Sequence, residues 1–248
     1  MFAIYKKELR SFFINPIGYI YVGVFLAVAA LVCTYTTVGS ASYSVSTYFS
    51  IMMFALGILI PLLTMRLFSE ERKMRTEQLL LTAPVTITGM VLGKFLAALT
   101  LYASTLLVSC INFIPIYVVA NIERGNQSYQ YYHIGPVTAQ LAGCMIALLL
   151  LGAAFIALGT FISALTENQL AAAVLTISVI LVMIGISLLN SFINLYWLRA
   201  ALSWISVYSR FGNFQNGLFD FAAVLYYLSI AFVFLFLTIR IYEKRRWS

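Results

Sequence analysis

Apolar residues run along this chain in six blocks, at about 17–38, 48–68, 91–119, 138–163, 169–189 and 222–241. Each block is close to the roughly 20 residues that a helix needs to cross a bilayer. The apolar positions surround each predicted helix instead of forming one stripe, so these helices have no solvated face. The pattern predicts an all-α polytopic membrane protein with six transmembrane helices. Residues 1–15 read differently. Phe2, Tyr5, Leu9, Phe12 and Phe13 recur at helical spacing, with Lys6, Lys7, Glu8 and Arg10 on the other side. This is an amphipathic helix lying in the membrane interface, ended by Asn15-Pro16. The apolar run that follows is too long for the core of a signal peptide and has no small-residue cleavage site after it, so it is expected to be retained.

A polar stretch separates the second block from the third. From Glu70 to Leu81 it is built of strong helix formers. Glu71 and Arg75 stand at i,i+4, as do Lys73 and Glu77, and Pro84 ends the run. The expected element is one short helix over 70–82, bearing both charge signs and a Leu79-Leu80-Leu81 edge. A mixed-charge helix with an apolar edge suits a groove on another protein.

Composition agrees with the apolar pattern. Charged residues make up 9% of the chain, against roughly 25% in a soluble domain. Charge also sets the orientation. Lys6, Lys7, Arg10, Arg66, Arg72, Lys73, Arg75, Lys94, Arg240, Lys244, Arg245 and Arg246 fall on one side of the membrane, and only Arg124, Arg199 and Arg210 on the other. The positive-inside rule then places both termini in the cytoplasm. The excess of basic residues flanks the spans, so it gives no reason to expect nucleic acid as a partner.

The segments left outside are 39–47, 121–136 and 190–220. The third is long and aromatic, with Phe192, Tyr196, Trp197, Trp204, Tyr208, Phe211 and Phe214. It reads as one or two short helices dipping into the outer leaflet. Small residues at helical spacing, Gly143/Ala147, Ala153/Ala157 and Gly159/Ser163 in the fourth block and Gly23/Ala27 in the first, suit close helix packing or a dimer seam.

Catalytic chemistry is hard to place on this chain. No Asp, Glu, Lys, Arg or His falls in the middle of a predicted span, which argues against a proton relay. Cys33, Cys110 and Cys144 lie in apolar segments and read as small hydrophobes, without a metal site. His133 stands alone in an outer loop. Gly89-Met90-Val91-Leu92-Gly93-Lys94-Phe95 misses the phosphate-loop pattern: its first Gly is one residue too close, and Phe95 replaces the hydroxyl residue. The chain is therefore expected to be a non-catalytic subunit with no cofactor of its own.

The inner stretch, with Glu71-Arg72, Thr76, Glu77, Leu79, Leu80, Pro84 and Val85, resembles the corresponding loop of ABC-2-type permeases. The tail from Ser206 to Asp220, followed by Tyr226-Tyr227-Leu228-Ser229 and the run from Phe234 to Thr238, resembles more particularly the gliding-motility and copper-processing permease subgroup. The resemblance implies a permease subunit of an ATP-driven exporter in the bacterial cytoplasmic membrane. A second permease copy or paralogue would pair with it, and cytosolic ATP-binding subunits would hold ATP and Mg. In that subgroup a membrane-anchored protein with a large extracytoplasmic domain often accompanies the permease, among membrane lipids. Residues 1–15 become the elbow helix. Residues 70–82 become the coupling helix, with Glu70, Glu71, Arg72, Arg75, Thr76, Glu77, Leu79, Leu80 and Pro84 as the ATPase-coupling residues. Residues 190–220 become outer re-entrant helices, with Trp197, Trp204, Tyr208, Phe211 and Phe214 as an outer gate. The inner loop around Glu167 is short and offers the ATPase a minor contact at most. The rival reading is a non-transporting scaffold or sensor that docks an ATPase to drive assembly or release of another protein.

Overall fold

A computed structural model describes residues 1–39, 44–76, 78, 85–126, 137–189, 197 and 206–247. Among them the chain is helical, without strands. The helices in order are α1 (Phe2–Ile14), α2 (Pro16–Cys33), α3 (Ser46–Thr64), α4 (Ser69–Lys73), α5 (Ile87–Ser109), α6 (Ile114–Asn126), α7 (Thr138–Leu165), α8 (Gln169–Leu189), α9 (Val207–Gln215) and α10 (Phe221–Trp247). Six helical segments are long and apolar enough to cross a membrane: Pro16–Thr37, Ser46–Lys73, Ile87–Ile122, Thr138–Leu165, Gln169–Ile186 and Phe221–Arg246. The architecture is the polytopic helical one that the apolar blocks predict.

Helix α7 is the hub, packed by α3, α5, α8, α9 and α10. Its glycines make this possible. A Cβ on Gly152 would lie 2.2 Å from Tyr102 Cε1, and one on Gly159 would lie 2.2 Å from Thr64 Oγ1. Backbones approach closely where side chains vanish, and in a bilayer such packing is a main source of helix association. The small residues of this helix thus serve packing within the chain. Gly23 is different: nothing lies within 4 Å of the place its Cβ would take.

Breaks in the helices have local causes. Pro115 has no N–H to donate to the Ile111 carbonyl, which instead accepts from Ile114 N–H in a 3-10 turn over Cys110–Phe113. At the far end of α2, Thr34 and Thr36 bond back to the carbonyls of Ala30 and Val32 at 2.9 and 2.8 Å. Thr37 bonds to Cys33 in the same way. Such back-bonding loosens a helix, and here the ladder widens into a π-turn over Thr34–Val38.

The chain has a basic end and an opposite end. At the opposite end α9 is wedged against α7 and α8. Gln215 Nε2 donates to Ser50 Oγ at 2.7 Å, Cys144 Sγ meets the Phe214 carbonyl at 3.4 Å, and Tyr227 donates to the Val207 carbonyl at 3.0 Å. Asp220 caps α10, accepting from Ala222 N–H at 2.9 Å. The Asn213 side chain, 2.8 Å away, holds the Asp220 carboxyl below the ordinary carboxylate range. That contribution is present above the unfolded pKa and is lost as pH falls through the depressed one.

Candidate coupling site at the basic end

The amphipathic helix α1 is folded back onto α5. Asn15 is extended (φ −83°, ψ 145°) and Pro16 starts α2, so the chain turns sharply. Gly18 allows the turn: a Cβ there would lie 2.2 Å from the Phe12 carbonyl oxygen. Two further glycines seat α1 against α5. A Cβ on Gly93 would stand 3.3 Å from the Met1 oxygen and the Tyr5 nitrogen, and one on Gly89 would stand 3.5 Å from the Met1 nitrogen. The segment Gly89-Met90-Val91-Leu92-Gly93-Lys94, which resembles a broken phosphate loop, thus has a packing role. It forms the first turns of α5, capped by Thr86, whose Oγ1 accepts from Gly89 N–H at 3.3 Å.

Lys94 completes that surface. It is 1% exposed, so it is a buried charge and not merely one of the basic residues that flank the spans. Its ammonium donates to Leu67 O at 2.7 Å, Glu71 Oε1 at 2.8 Å and Glu8 Oε1 at 3.2 Å. Those are all three donors of a lysine ammonium. The Phe68 ring lies 5.1 Å away. Lys7 approaches Glu8 and Glu71 at 3.9 and 4.0 Å, so two cations face two carboxylates. A buried charge survives only when paired and hydrogen-bonded in this way.

The loop after α3 is held by α7. Ser163 Oγ accepts from Phe68 N–H and Ser69 N–H at 3.1 and 3.2 Å and donates to the Met65 carbonyl at 3.2 Å. Arg66 places Nε 3.1 Å from Glu70 Oε2 and its guanidinium 5.8 Å from the Phe12 ring centre. Phe68 packs on Tyr242 of α10 at 4.9 Å. The loop therefore touches α1, α5, α7 and α10.

The single helix expected over 70–82 is interrupted. Helix α4 ends at Lys73, and a tight turn follows through Met74, Arg75 and Thr76. Thr76 N–H donates to the Glu71 carbonyl at 2.9 Å and Arg75 N–H to the Arg72 carbonyl at 3.1 Å, with Arg75 at φ 55°. This is the Schellman arrangement, with an arginine where glycine is usual. The expected i,i+4 pairing of Glu71 with Arg75 gives way, because Glu71 reaches the buried Lys94 instead. Gln78 is helical and exposed; Glu77, Leu79, Leu80 and Pro84 lie outside the described residues.

Arg72 turns inward as well. Its Nη1 donates to the Leu165 carbonyl and its Nη2 meets Glu167 Oε1, both at 2.9 Å. Arg245 of α10 donates to the neighbouring Ala164 carbonyl at 2.9 Å. Two arginines thus cap the end of α7, where the helix dipole is negative. The short loop around Glu167 is a direct partner of the 69–76 turn. Lys73, Met74, Arg75 and Thr76 are the exposed tip, with Met74 67% exposed. Met74, Lys94, Glu8 and Ser163 are among the site residues that sequence reasoning missed. An isolated methionine in a run of charges was the signal for the first.

At the opposite end Tyr208, Phe211 and Phe214 share α9. Phe211 and Phe214 are fully buried, and Tyr208 lies 6.2 Å from the Phe54 ring. Trp197 is 69% exposed, and Trp204 lies outside the described residues.

A bundle of six spanning helices, with a polar loop clamped to its basic end, defines a multi-pass membrane protein. The ABC-2 family transporter protein profile matches residues 2–247, and the chain belongs to that family. Family membership makes it a membrane permease component of an ABC transporter, a class that works with an ATP-binding subunit. No curated protein matches the chain.

Proposed function

We propose that the chain is the non-catalytic permease subunit of an ATP-driven exporter in the bacterial cytoplasmic membrane, with its basic end in the cytoplasm. A separate ATP-binding subunit, holding ATP and Mg, docks on residues 70–82. A second permease copy or paralogue completes the membrane unit. The tail from Ser206 to Asp220 favours the gliding-motility and copper-processing subgroup, and with it a companion bearing a large extracytoplasmic domain. Helix α9, with Tyr208, Phe211 and Phe214, is the outer closure.

The observation that carries this reading is the division of labour within one turn. Its tip, Lys73–Thr76, is exposed, while the adjacent Glu71 and Arg72 are fastened to the bundle through Lys94 and the end of α7. A partner that pulls on the tip moves α1, α5 and α7 together. Packed elements respond to such a pull by shifting as bodies.

The test uses the permease purified with its ATP-binding subunit. Met74→Asp with Arg75→Glu is expected to weaken co-purification by roughly tenfold or more, equivalent to about 1.4 kcal/mol of docking energy. Glu71→Gln with Arg72→Gln is expected to preserve the complex and lower its transport per ATP hydrolysed. Unchanged assembly and turnover in both variants would remove the coupling role.

A further inference from the structure

Helix α1 separates its charges. Its one carboxylate, Glu8, is turned inward to Lys94, and Lys7 stays near Glu8 and Glu71. Lys6 and Arg10, one turn apart on the outward face, are exposed and make no ion pair among the described residues. They share one open face of α1 with Ala3, Lys7, Ser11 and Ile14. The same helix exposes Phe2 (75%) and Ile14 (69%), and Phe13 lies beside Tyr19 at 5.9 Å, just inside the first span. By helical rise Lys6 lies roughly 15 Å from Pro16, where that span begins.

An exposed helix face with two cations beside apolar side chains, leading straight into the first span, matches one ligand chemistry: a phosphate carried on acyl chains. We propose that Lys6 and Arg10 hold the headgroup of an anionic phospholipid of the surrounding bilayer, with Ile14, Phe2 and Phe13 against its acyl region. Arg10 offers a planar fork to two phosphate oxygens, and Lys6 supplies a point charge. A soluble acidic protein would satisfy the cations but leave Phe2 and Ile14 in water. The site is separate from the coupling turn and does not depend on the transport reading.

The experiment uses the full chain, purified in detergent and examined by native mass spectrometry with added phosphatidylglycerol or phosphatidylcholine. Each cation near a membrane surface favours an anionic lipid by about fivefold, so the pair gives a preference of roughly twenty-five-fold. Lys6→Gln with Arg10→Gln should abolish most of that preference. Lys244→Gln with Arg246→Gln, at the end of α10, should leave it in place. Equal retention of both lipids by the unmodified chain overturns the proposal, as does an unchanged preference in the Lys6/Arg10 variant. Displacement of the lipid by an equal concentration of free glycerol phosphate also overturns it, since the acyl chains would then contribute nothing.

Discussion

Replacing Lys94 with Met should destabilise the protein more than any other single change to a charged residue. The substitution keeps the stem of the side chain and removes the ammonium. Glu8 and Glu71 then face each other with only Lys7 nearby, and the Leu67 carbonyl loses its 2.7 Å donor. Breaking a buried ion pair by removing one partner costs about 3–5 kcal/mol, mostly because the remaining charge is stranded. The cause can be separated from lost packing by a second variant. Adding Glu8→Gln and Glu71→Gln to Lys94→Met removes the stranded charges, and replacing a whole buried set by neutral groups is often close to neutral. Thermal unfolding followed by tryptophan fluorescence should show a large fall in midpoint for the single variant and recovery of at least half in the triple one. No fall in the single variant would mean that the cluster does not hold α1 and the loop to α5.

The second large effect is expected at Gly152. An alanine Cβ there would lie 2.2 Å from Tyr102 Cε1, 2.4 Å from Cζ and 2.6 Å from Oη. Tyr102 is fully buried, and its hydroxyl donates to the Leu148 carbonyl at 2.7 Å, so the ring has no free direction in which to withdraw. Alanine improves helix propensity by about 1 kcal/mol over glycine. Overpacking costs typically about 1–3 kcal/mol, and loss of the Tyr102 hydrogen bond adds about 1 kcal/mol. The steric side wins, and Gly152→Ala should lower the unfolding midpoint. Tyr102→Leu in the same chain should restore part of the loss by removing the ring. A Gly152→Ala protein as stable as the original would contradict the close approach of α5 and α7.

The six spans were legible because a bilayer leaves the backbone few choices: long apolar runs must form helices that satisfy their own hydrogen bonds. The break at Asn15-Pro16 was legible for the same local reason, since proline can begin a helix but not continue one. Lys94 was not. A lysine seven residues into α5 looks like a flanking charge, and its partners Glu8 and Glu71 are 86 and 23 residues away in the chain. Nothing in the local pattern announces them. The end of α4 was hidden for a different reason. A left-handed residue is usually signalled by glycine, and Arg75 takes that position here because the 5→2 and 6→1 hydrogen bonds hold it there. In α7 the sequence pointed to Gly143/Ala147, Ala153/Ala157 and Gly159/Ser163; Gly159 does seat Thr64, and Ser163 holds the loop after α3, whereas Gly152, which seats Tyr102, was not among them.

A cross-link from the exposed tip would report directly whether an ATP-binding subunit sits on it. Met74→Cys, in a chain whose Cys33, Cys110 and Cys144 are replaced by Ala, would be treated with a short thiol-to-amine reagent in native membranes. One dominant adduct is expected, to an ATP-binding subunit, with a yield that changes when ATP is added. An adduct to no nucleotide-hydrolysing protein, or labelling of the introduced thiol only from the extracytoplasmic side, would contradict this docking.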